Sequence, residues 1–355
     1  MLQKLQLTHF RSYDQLTLDL EERVTVILGP NATGKTNILE AVYVAATGQS
    51  FRADDQALIT DNQQGFRVDV DYDDERLSVV YRLSPRRQKR FLRNEVGVSR
   101  HTLLGLHPIV LFEPGDLQLL SGPPTSRRHY IDMLLMQTSE QYRRALMLYK
   151  RLMKQRNSLL FRNKRSSLPI EKLDDQLFIL DTQLTEPTEH IHHARQSFLT
   201  WLEPHLIRYV EHIAHSTPNL SIRYLERSSD FLSRLQESRT RDIAVGTTTT
   251  GPHREDWQIF RSDVLLQDTA SRGENRTVLL ALKLCEVHYI QEKKDGITPT
   301  LLLDDVFSEL DESRRHLLVD VLSDVQTIIT TTDIDKRLDL PAQTIDLTRR
   351  VGGSV

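Results

Sequence analysis

The stretch GPNATGKT at residues 29–36 decides the fold class of this chain. It follows the apolar run VTVIL at residues 24–28 and precedes NILEAVYVAATG at residues 37–48, whose apolar residues recur at helical spacing. Every fixed position of the pattern G-x-x-x-x-G-K-[ST] is matched, and a strand before it and a helix after it are the context the pattern requires. The sequence therefore predicts a phosphate-binding loop between a buried strand and a helix that ends at Gly48.

The residues of this loop suit the binding of a nucleotide. Glycines allow the backbone N–H groups to wrap a phosphate, and the following helix directs its positive end at the anion. Lys35 supplies a charge to the β- and γ-phosphates, and the Thr36 hydroxyl is placed to bind Mg²⁺. The alternative is a glycine-rich turn that merely contains a lysine, which the flanking elements disfavour. The predicted nucleotide-binding residues of the loop are Gly29, Pro30, Asn31, Ala32, Thr33, Gly34, Lys35 and Thr36.

A second candidate site is the acidic pair in LLLDD at residues 301–305. Three leucines before two aspartates indicate a buried strand that ends in carboxylates. In a phosphate-loop enzyme Asp304 is placed to hold Mg²⁺, and Asp305 is placed to polarise the attacking water. A solvated acidic turn is the alternative. We expect Asp304, Asp305 and Lys35 to be the catalytic residues.

The bulk composition is that of a soluble globular protein. The chain has 355 residues, of which 39% are hydrophobic and 27% charged. At ~150 residues a domain it is long enough for two or three domains. No apolar run approaches the ~18 residues of a membrane helix, so no membrane association is expected. The one cysteine, Cys285, excludes an internal disulfide framework and is expected in the core of a helix.

The order of the two motifs indicates how the chain is divided. The phosphate loop and the acidic pair lie near opposite chain ends, and alternating strands and helices near the second favour a parallel sheet. Between them a helical stretch runs from about 125 to 215, and Pro187 and Pro204 are predicted to interrupt it. We therefore expect a head built from residues 1–120 and 216–355, and a helical lobe at residues 121–215.

Positive charge is concentrated in one part of the chain. The net charge is −3, yet residues 127–165 contain eleven Lys or Arg and two Asp or Glu. Contact with the DNA backbone is predicted here, against the alternative of a solvated helix face. A smaller basic cluster, PRRQKR, lies at residues 85–90. The candidate DNA-binding residues are Arg127, Arg128, Arg143, Arg144, Lys150, Arg151 and Lys154.

Three further stretches have open interpretations. SRGENR at residues 271–276 begins a helix with the S/T-x-x-E pattern of a capping box, and its exposed N–H groups also suit a phosphate. TGPHRED at residues 250–256 is either a loop structured by Gly and Pro or a contact to nucleotide, DNA or a partner. His190 and His193 lie three residues apart, but a surface helix is favoured over a metal site.

Several stretches together resemble a known family. The phosphate loop, LLLDD, SRGE and SELDESRR are similar to ABC-type ATPases of the SMC class. LTHFRSY at residues 7–13, FEPGDLQLLSGPPTSRRHYID at residues 112–132 and TGPHRED resemble more specifically the RecF family of bacterial recombination mediators. The resemblance covers residues 2–348. It implies an α/β fold: an ABC-type ATPase head of the P-loop NTPase class, with mixed and parallel sheets, flanking helices and an inserted helical lobe.

The resemblance also implies a function. Its members are ATP-dependent DNA-binding proteins that dimerise around two nucleotides and help to load the recombinase onto gapped DNA. Carried over here, Ser271 and Gly273 would face the γ-phosphate of the partner subunit, and residues 308–311 would cross the dimer axis. The implied ligands are ATP and Mg²⁺, and the implied partners are single- and double-stranded DNA, a second copy of the chain, RecR and RecO. The implied location is the cytoplasm, with the nucleoid.

Two departures from the wider ABC pattern affect the expected rate. Asp305 stands where glutamate usually follows the metal-binding aspartate, and TTTD at residues 330–333 stands where a histidine usually contacts the γ-phosphate. We therefore expect a slow DNA-dependent ATPase that uses hydrolysis as a switch. The alternatives are an ATP-binding DNA clamp with negligible turnover, and a transporter-type ATPase subunit or another relative of the SMC class.

Overall fold

The computed structural model describes residues 1–20, 23–166, 170–214, 218–225, 230–306, 324–332 and 342–348. The strands are β1 (Leu2–Phe10), β2 (Tyr13–Asp19), β3 (Val24–Leu28), β4 (Gly65–Tyr72), β5 (Arg76–Arg82), β6 (Gln88–Arg93), β7 (Val96–Val98), β8 (Ile109–Phe112), β9 (Leu220–Leu225), β10 (Asp256–Arg261), β11 (Val264–Leu265), β12 (Thr300–Asp304), β13 (Thr327–Thr331) and β14 (Gln343–Asp346). The helices are α1 (Lys35–Thr47), α2 (Arg100–Leu103), α3 (Gln118–Ser121), α4 (Pro124–Thr138), α5 (Glu140–Ser166), α6 (Ile170–Ala214), α7 (Phe231–Val245), α8 (Leu266–Thr269) and α9 (Arg272–Lys293).

A five-stranded parallel sheet carries the phosphate loop. Its strand order is β14-β3-β13-β12-β8, and every neighbouring pair is parallel. All residues of β8, β12 and β13 are buried, as expected for a sheet covered on both faces. The predicted parallel sheet is confirmed, and α1 ends at Gly48 as expected, with the Gly48 N–H donating to the Val44 carbonyl.

A six-stranded antiparallel sheet has the order β2-β1-β4-β5-β6-β7. Its strands alternate between buried and exposed residues, which is the pattern of a sheet with one face on the core. Leu5, Val68, Val70 and Val79 are fully buried on the core face. Parallel and antiparallel sheets thus occur together, in agreement with the expected head.

Helix α6 runs through both prolines that were predicted to interrupt it. Pro187 and Pro204 lie inside a single helix of 45 residues, so this prediction is wrong. An internal proline removes one backbone hydrogen bond and costs ~3 kcal/mol. Leu184, Ile191 and Leu202 on this helix are fully buried, and the burial of several such side chains at about 1.5–3 kcal/mol each offsets that cost.

The chain folds into two compact units, one of residues 1–117 with 276–355 and the other of residues 118–275. The division expected from the sequence assigned residues 216–275 to the head, whereas the described residues 218–225 and 230–275 belong to the same unit as the helices. Within this second unit β9, β10 and β11 form an antiparallel sheet, and Arg127 of α4 forms a buried ion pair with Asp256 of β10. Pairing between residues so distant in sequence leaves no local signal. Among the described residues, no helix has the length and hydropathy required to span a bilayer.

A buried ionic cluster ties the helices of the second unit together. The Arg156 side chain is completely buried on α5. Its Nε donates to Asp181 Oδ1 of α6 at 2.6 Å, and its Nη1 donates to Asp242 Oδ2 of α7 at 2.7 Å. Each partner is also completely buried. Charges at this depth are tolerated only while they remain paired.

Replacing Arg156 with Met is expected to lower the free energy of unfolding by ~3–5 kcal/mol, because Asp181 and Asp242 would lose their buried cation. Urea unfolding followed by circular dichroism measures the change. Lys154→Met is the control, because Lys154 is exposed on the same helix and its loss should cost less than about 0.5 kcal/mol. Equal unfolding midpoints for the two variants would contradict the proposed importance of the cluster.

Candidate nucleotide-binding site

The backbone of the phosphate loop takes up conformations that side chains restrict. Ala32 and Gly34 have left-handed φ angles of 67° and 94°. A Cβ added at Gly34 would lie 2.6 Å from the Tyr13 hydroxyl, so no other residue fits there without displacing Tyr13. The Thr33 hydroxyl donates to the Pro30 carbonyl at 2.8 Å and closes the turn. These contacts fix the shape of the loop.

Lys35 is folded back into the loop. Its Nζ donates to the carbonyl oxygens of Gly29 at 2.6 Å and Pro30 at 2.8 Å, and its side chain is almost fully buried. Burial lowers the pKa of Lys35, while the nearby carboxylates of Asp305 and Asp304 oppose that shift. Both predicted catalytic aspartates therefore favour the charged form of Lys35 and oppose the lowering of its pKa.

The two predicted metal ligands are in direct contact. Thr36 Oγ1 donates to Asp304 Oδ1 at 2.9 Å and lies 3.0 Å from Oδ2. Thr330 of β13 donates from its hydroxyl to Asp304 Oδ1 at 2.7 Å and orients the carboxylate. A hydroxyl and a carboxylate side by side are the oxygen donors that Mg²⁺ prefers, so these residues fit the ion that the family implies.

Asp305 has an unusual backbone conformation. Its φ of 51° lies in the left-handed region, which aspartate tolerates better than most residues. Its N–H lies 3.0 Å from Thr330 Oγ1 and 3.2 Å from the Thr330 carbonyl. Thr330 thus fixes both aspartates at the carboxyl end of β12. In the sequence, the stretch that begins at Thr330 was notable only because it lacks the usual histidine. No role was predicted for Thr330 itself.

Glu113 is a candidate site residue that sequence reasoning missed. It directly follows β8, whose Phe112 pairs with Leu303, so Glu113 lies beside Asp304 at the same sheet edge. Burial raises the pKa of Glu113 to about 7, with Asp116 adding to the shift and Lys283 opposing it. The signal in the sequence was a carboxylate directly after the buried strand VLF, but strand order was needed to interpret it.

Arg11 and Ser12 of the LTHFRSY stretch help to line a polar pocket beside α1. The pocket has a volume of about 650 Å³, and Arg11, Arg52 and Asn37 contribute to its lining. Arg11 and Arg52 both bind the fully buried carboxylate of Glu40. Burial alone would raise the pKa of Glu40, but hydrogen bonds from Arg11, Arg52 and Ser50 lower it overall. The two guanidinium groups are therefore held in place next to α1.

The start of α9 contains the predicted capping box. Glu274 N–H donates to Ser271 Oγ at 3.3 Å, and Ser271 N–H donates to a Glu274 carboxylate oxygen at 2.7 Å. Arg261 also pairs with Glu274 at 3.0 Å. Ser271 is exposed and Gly273 is half-buried. Ser271 and Gly273, which are proposed to face a partner's nucleotide, thus lie at the capped N-terminus of α9.

The predicted DNA-binding residues divide into three groups by their exposure. Arg127 is buried against Asp256 and is therefore unavailable to DNA, so its assignment is corrected. Arg128 and Arg143 are half-buried and donate to backbone carbonyls of Glu255 and Met136. The exposed members are Arg144, which pairs with Glu140, and Lys150, Arg151 and Lys154.

The loop at residues 250–256 is a structural junction of the second unit. Gly251 has a φ of 125°, and the carbonyl of Pro252 accepts a 2.9 Å hydrogen bond from buried Arg195. His253 Nδ1 lies 2.6 Å from the Tyr149 hydroxyl, and burial lowers the pKa of His253. These contacts favour the structural interpretation for His253, whereas Arg254 is exposed.

The remaining predictions concern two histidines of α6 and residues that follow β12 in the chain. His190 and His193 both lie on α6, where His190 is half-buried and His193 is exposed. Residues 308–311 and Asp333 lie outside the described residues.

Comparison with known proteins relates the chain to one family over nearly its whole length. The family model for the RecF/RecN/SMC N-terminal domain matches residues 1–338. The DNA replication and repair protein RecF of Lactococcus lactis subsp. lactis is 36% identical, with 96% of this chain and 95% of the relative covered. The RecF of Agathobacter rectalis is 33% identical, with 95% and 93% covered.

Solved structures agree with these relatives. A structure of the recombination mediator protein RecF with ATP, in the RecFOR pathway, has a TM-score of 0.86 at 28% identity and covers 97% of this chain and 95% of that one. An Smc head domain from Pyrococcus furiosus has a TM-score of 0.50 at 19% identity, with 94% and 90% covered, and shows a common fold.

Gly34→Ala is expected to reduce nucleotide binding at least ~10-fold, because a Cβ at a left-handed φ costs about 1–2 kcal/mol and would also displace Tyr13. Titration with a fluorescent ATP analogue measures this. Gly97→Ala is the matched control, because a Cβ there meets nothing within 4 Å. If Gly34→Ala binds the analogue as tightly as the control, the loop geometry is not a requirement for binding.

Proposed function

The chain belongs to the RecF family of SMC-like ABC ATPases, and on that premise we propose that it is an ATP-dependent DNA-binding recombination mediator. In this proposal it binds ATP with Mg²⁺, dimerises, binds gapped, single- and double-stranded DNA, and helps to load the recombinase during repair and replication restart. The observation that carries the proposal is the contact between Thr36 and Asp304, which unites the two halves of a nucleotide site.

Each residue of the nucleotide site has a proposed role. The N–H groups of the phosphate loop, except at Pro30, and the start of α1 would bind the phosphates, and Lys35 would exchange its carbonyl partners for phosphate oxygens. Thr36 and Asp304 would hold Mg²⁺, which when bound neutralises charge on the β- and γ-phosphates. Similarity to a structure of RecF with ATP supports ATP as the nucleotide.

Hydrolysis is proposed to be slow. Asp305 is one methylene shorter than the usual glutamate, and Thr330 fixes its backbone by hydrogen bonding to its N–H. A carboxylate that reaches less far orients the attacking water less well, because general-base catalysis depends on hydrogen-bond distance. The same observation favours the second candidate, a DNA clamp in which ATP binding matters and turnover is negligible.

A second subunit is proposed to complete the site. The capped start of α9 presents N–H groups and the positive end of the helix dipole, which favours an anion. Each molecule already has its own phosphate loop, so we assign Ser271 and Gly273 to the γ-phosphate held by the partner copy. ATP would then bridge two chains and control dimerisation.

DNA and protein partners follow from the same proposal. Arg144, Lys150, Arg151 and Lys154 are exposed on α5 and suit contacts with the phosphate backbone, which are independent of base sequence. RecR and RecO are proposed as partners because a solved relative is described as acting in the RecFOR pathway. The proposed location is the cytoplasm, in association with the nucleoid.

Asp305→Asn is expected to lower ATP turnover by at least ~100-fold, because the amide cannot accept a proton from water. ATP-dependent dimers should persist correspondingly longer. Single-turnover hydrolysis measures the first effect, and sedimentation after removal of free ATP measures the second. Asp305→Glu is the control and should retain hydrolysis, whereas unchanged hydrolysis in Asp305→Asn would exclude the assigned role.

Ser271→Arg is expected to bind ATP as a monomer and fail to dimerise, because the long cation would occupy the partner's phosphate site. Lys35→Met should lose both ATP binding and dimerisation. Sedimentation with ATP and Mg²⁺, with and without DNA, distinguishes these patterns. Glu274→Gln keeps a capping box and should dimerise. Normal dimers of Ser271→Arg would refute the assignment in trans.

A further inference from the structure

A groove of about 500 Å³ lies on the antiparallel sheet beside the hairpin that joins β5 to β6. We call it the hairpin groove. Its lining includes Arg67, Arg82, Arg90 and His9, and no Asp or Glu is among the described residues that line it. This composition contrasts with the net charge of −3 for the whole chain. The hairpin groove is therefore a local site of positive charge on a slightly acidic protein.

Strand register explains how the positive charge is gathered. Thr8 pairs with Arg67, Arg67 with Val80, and Val80 with Arg90, so these four residues form one row across four strands. In the next row Arg82 pairs with Gln88. Because side chains two residues apart along a strand share a face, both rows lie on the same face of the sheet.

The same alternation divides the basic cluster PRRQKR. Lys89 lies on the opposite face from Arg90 and forms an ion pair with Asp55. Arg87 donates to the Gln56 side chain at 3.0 Å. Arg86 and Arg90 are exposed, and in the described part of the chain neither pairs with a carboxylate. Register thus sorts a continuous basic stretch into structural and accessible charges.

Two arginines of the groove, Arg82 and Arg90, are available to bind a ligand. Arg67 is already bound to Asp69 and Glu95, so its charge is largely offset. Arg82 and Arg90 are exposed, and within the described residues no acidic partner contacts either of them. Guanidinium groups bind phosphate through two parallel hydrogen bonds, which makes this pair suited to a phosphorylated ligand.

We propose that the hairpin groove binds the phosphodiester backbone of nucleic acid. Arg82 and Arg90 would contact phosphates, and the amides of Gln63, Gln64 and Gln88 supply neutral hydrogen-bonding groups along the same surface. Arg86 at the hairpin tip continues the positive charge beyond the groove, which fits a polymeric anion better than a single small one. The identity of the polymer as DNA rests on the proposed function.

The test compares two double variants with equal loss of charge. Arg82→Gln with Arg90→Gln removes the accessible charge of the groove, and Arg208→Gln with Arg241→Gln removes exposed arginines from α6 and α7. Binding of a gapped DNA oligonucleotide is measured from 50 to 300 mM salt, with ATP and Mg²⁺ present. The slope of log K against log salt should decrease by roughly 1.4 to 1.8 for the groove variant and stay unchanged for the control.

Further measurements identify the reason for each outcome. The variant Arg82→Lys with Arg90→Lys should retain most of the slope of log K against log salt, because the positive charge remains. Equal thermal unfolding midpoints would show that all variants are folded. DNA binding by the wild type with an unchanged slope in the groove variant would overturn the groove and leave the proposed function standing. No DNA binding by the wild type would overturn both. Polyglutamate that competes as strongly as DNA would overturn the nucleic-acid assignment.

Discussion

The contact between the Thr36 hydroxyl and the Asp304 carboxylate sets the main constraint on this molecule, because it joins residues 268 positions apart. Both side chains must lie at one edge of a sheet, so β3 and β12 have to run parallel with matched ends. Strand β13 lies between them and supplies Thr330, which binds Asp304 and the Asp305 backbone. Apart from β8, the described strands between the two motifs lie outside the parallel sheet, and the chain returns to it at β12.

In the second compact unit, the number of basic residues in a segment does not predict how many of them are exposed. Arg127 and Arg156 belong to the most basic segment, yet each is buried against carboxylates from distant parts of the chain. A buried arginine requires such partners, since an unpaired charge would cost several kcal/mol. In the first unit, by contrast, strand register brings Arg82 and Arg90 together on an exposed face that the sequence presented as a minor cluster.

Features with a local physical cause were predictable. The strand, loop and helix around residues 29–36, the helix stop at Gly48 and the capping box at Ser271 each depend on neighbours within a few residues. The course of α6 through Pro187 and Pro204 was not predictable, because the burial of its apolar side chains, which compensates for two prolines, depends on tertiary packing. Glu113 was missed for a similar reason, since only the pairing of β8 with β12 brings it beside Asp304.

The sequence by itself determined the nucleotide chemistry, because the phosphate loop and the acidic strand end use short-range patterns that few other structures share. It also determined the family, through stretches spread over most of the chain. Only the tertiary structure decided which charges are available to ligands, because burial and pairing depend on residues that are distant in sequence, such as Asp242 for Arg156 and Asp256 for Arg127. For the same reason it alone showed that residues 218–225 and 230–275 fold with the helices, through the pairing of β9 with β10 and of Arg127 with Asp256.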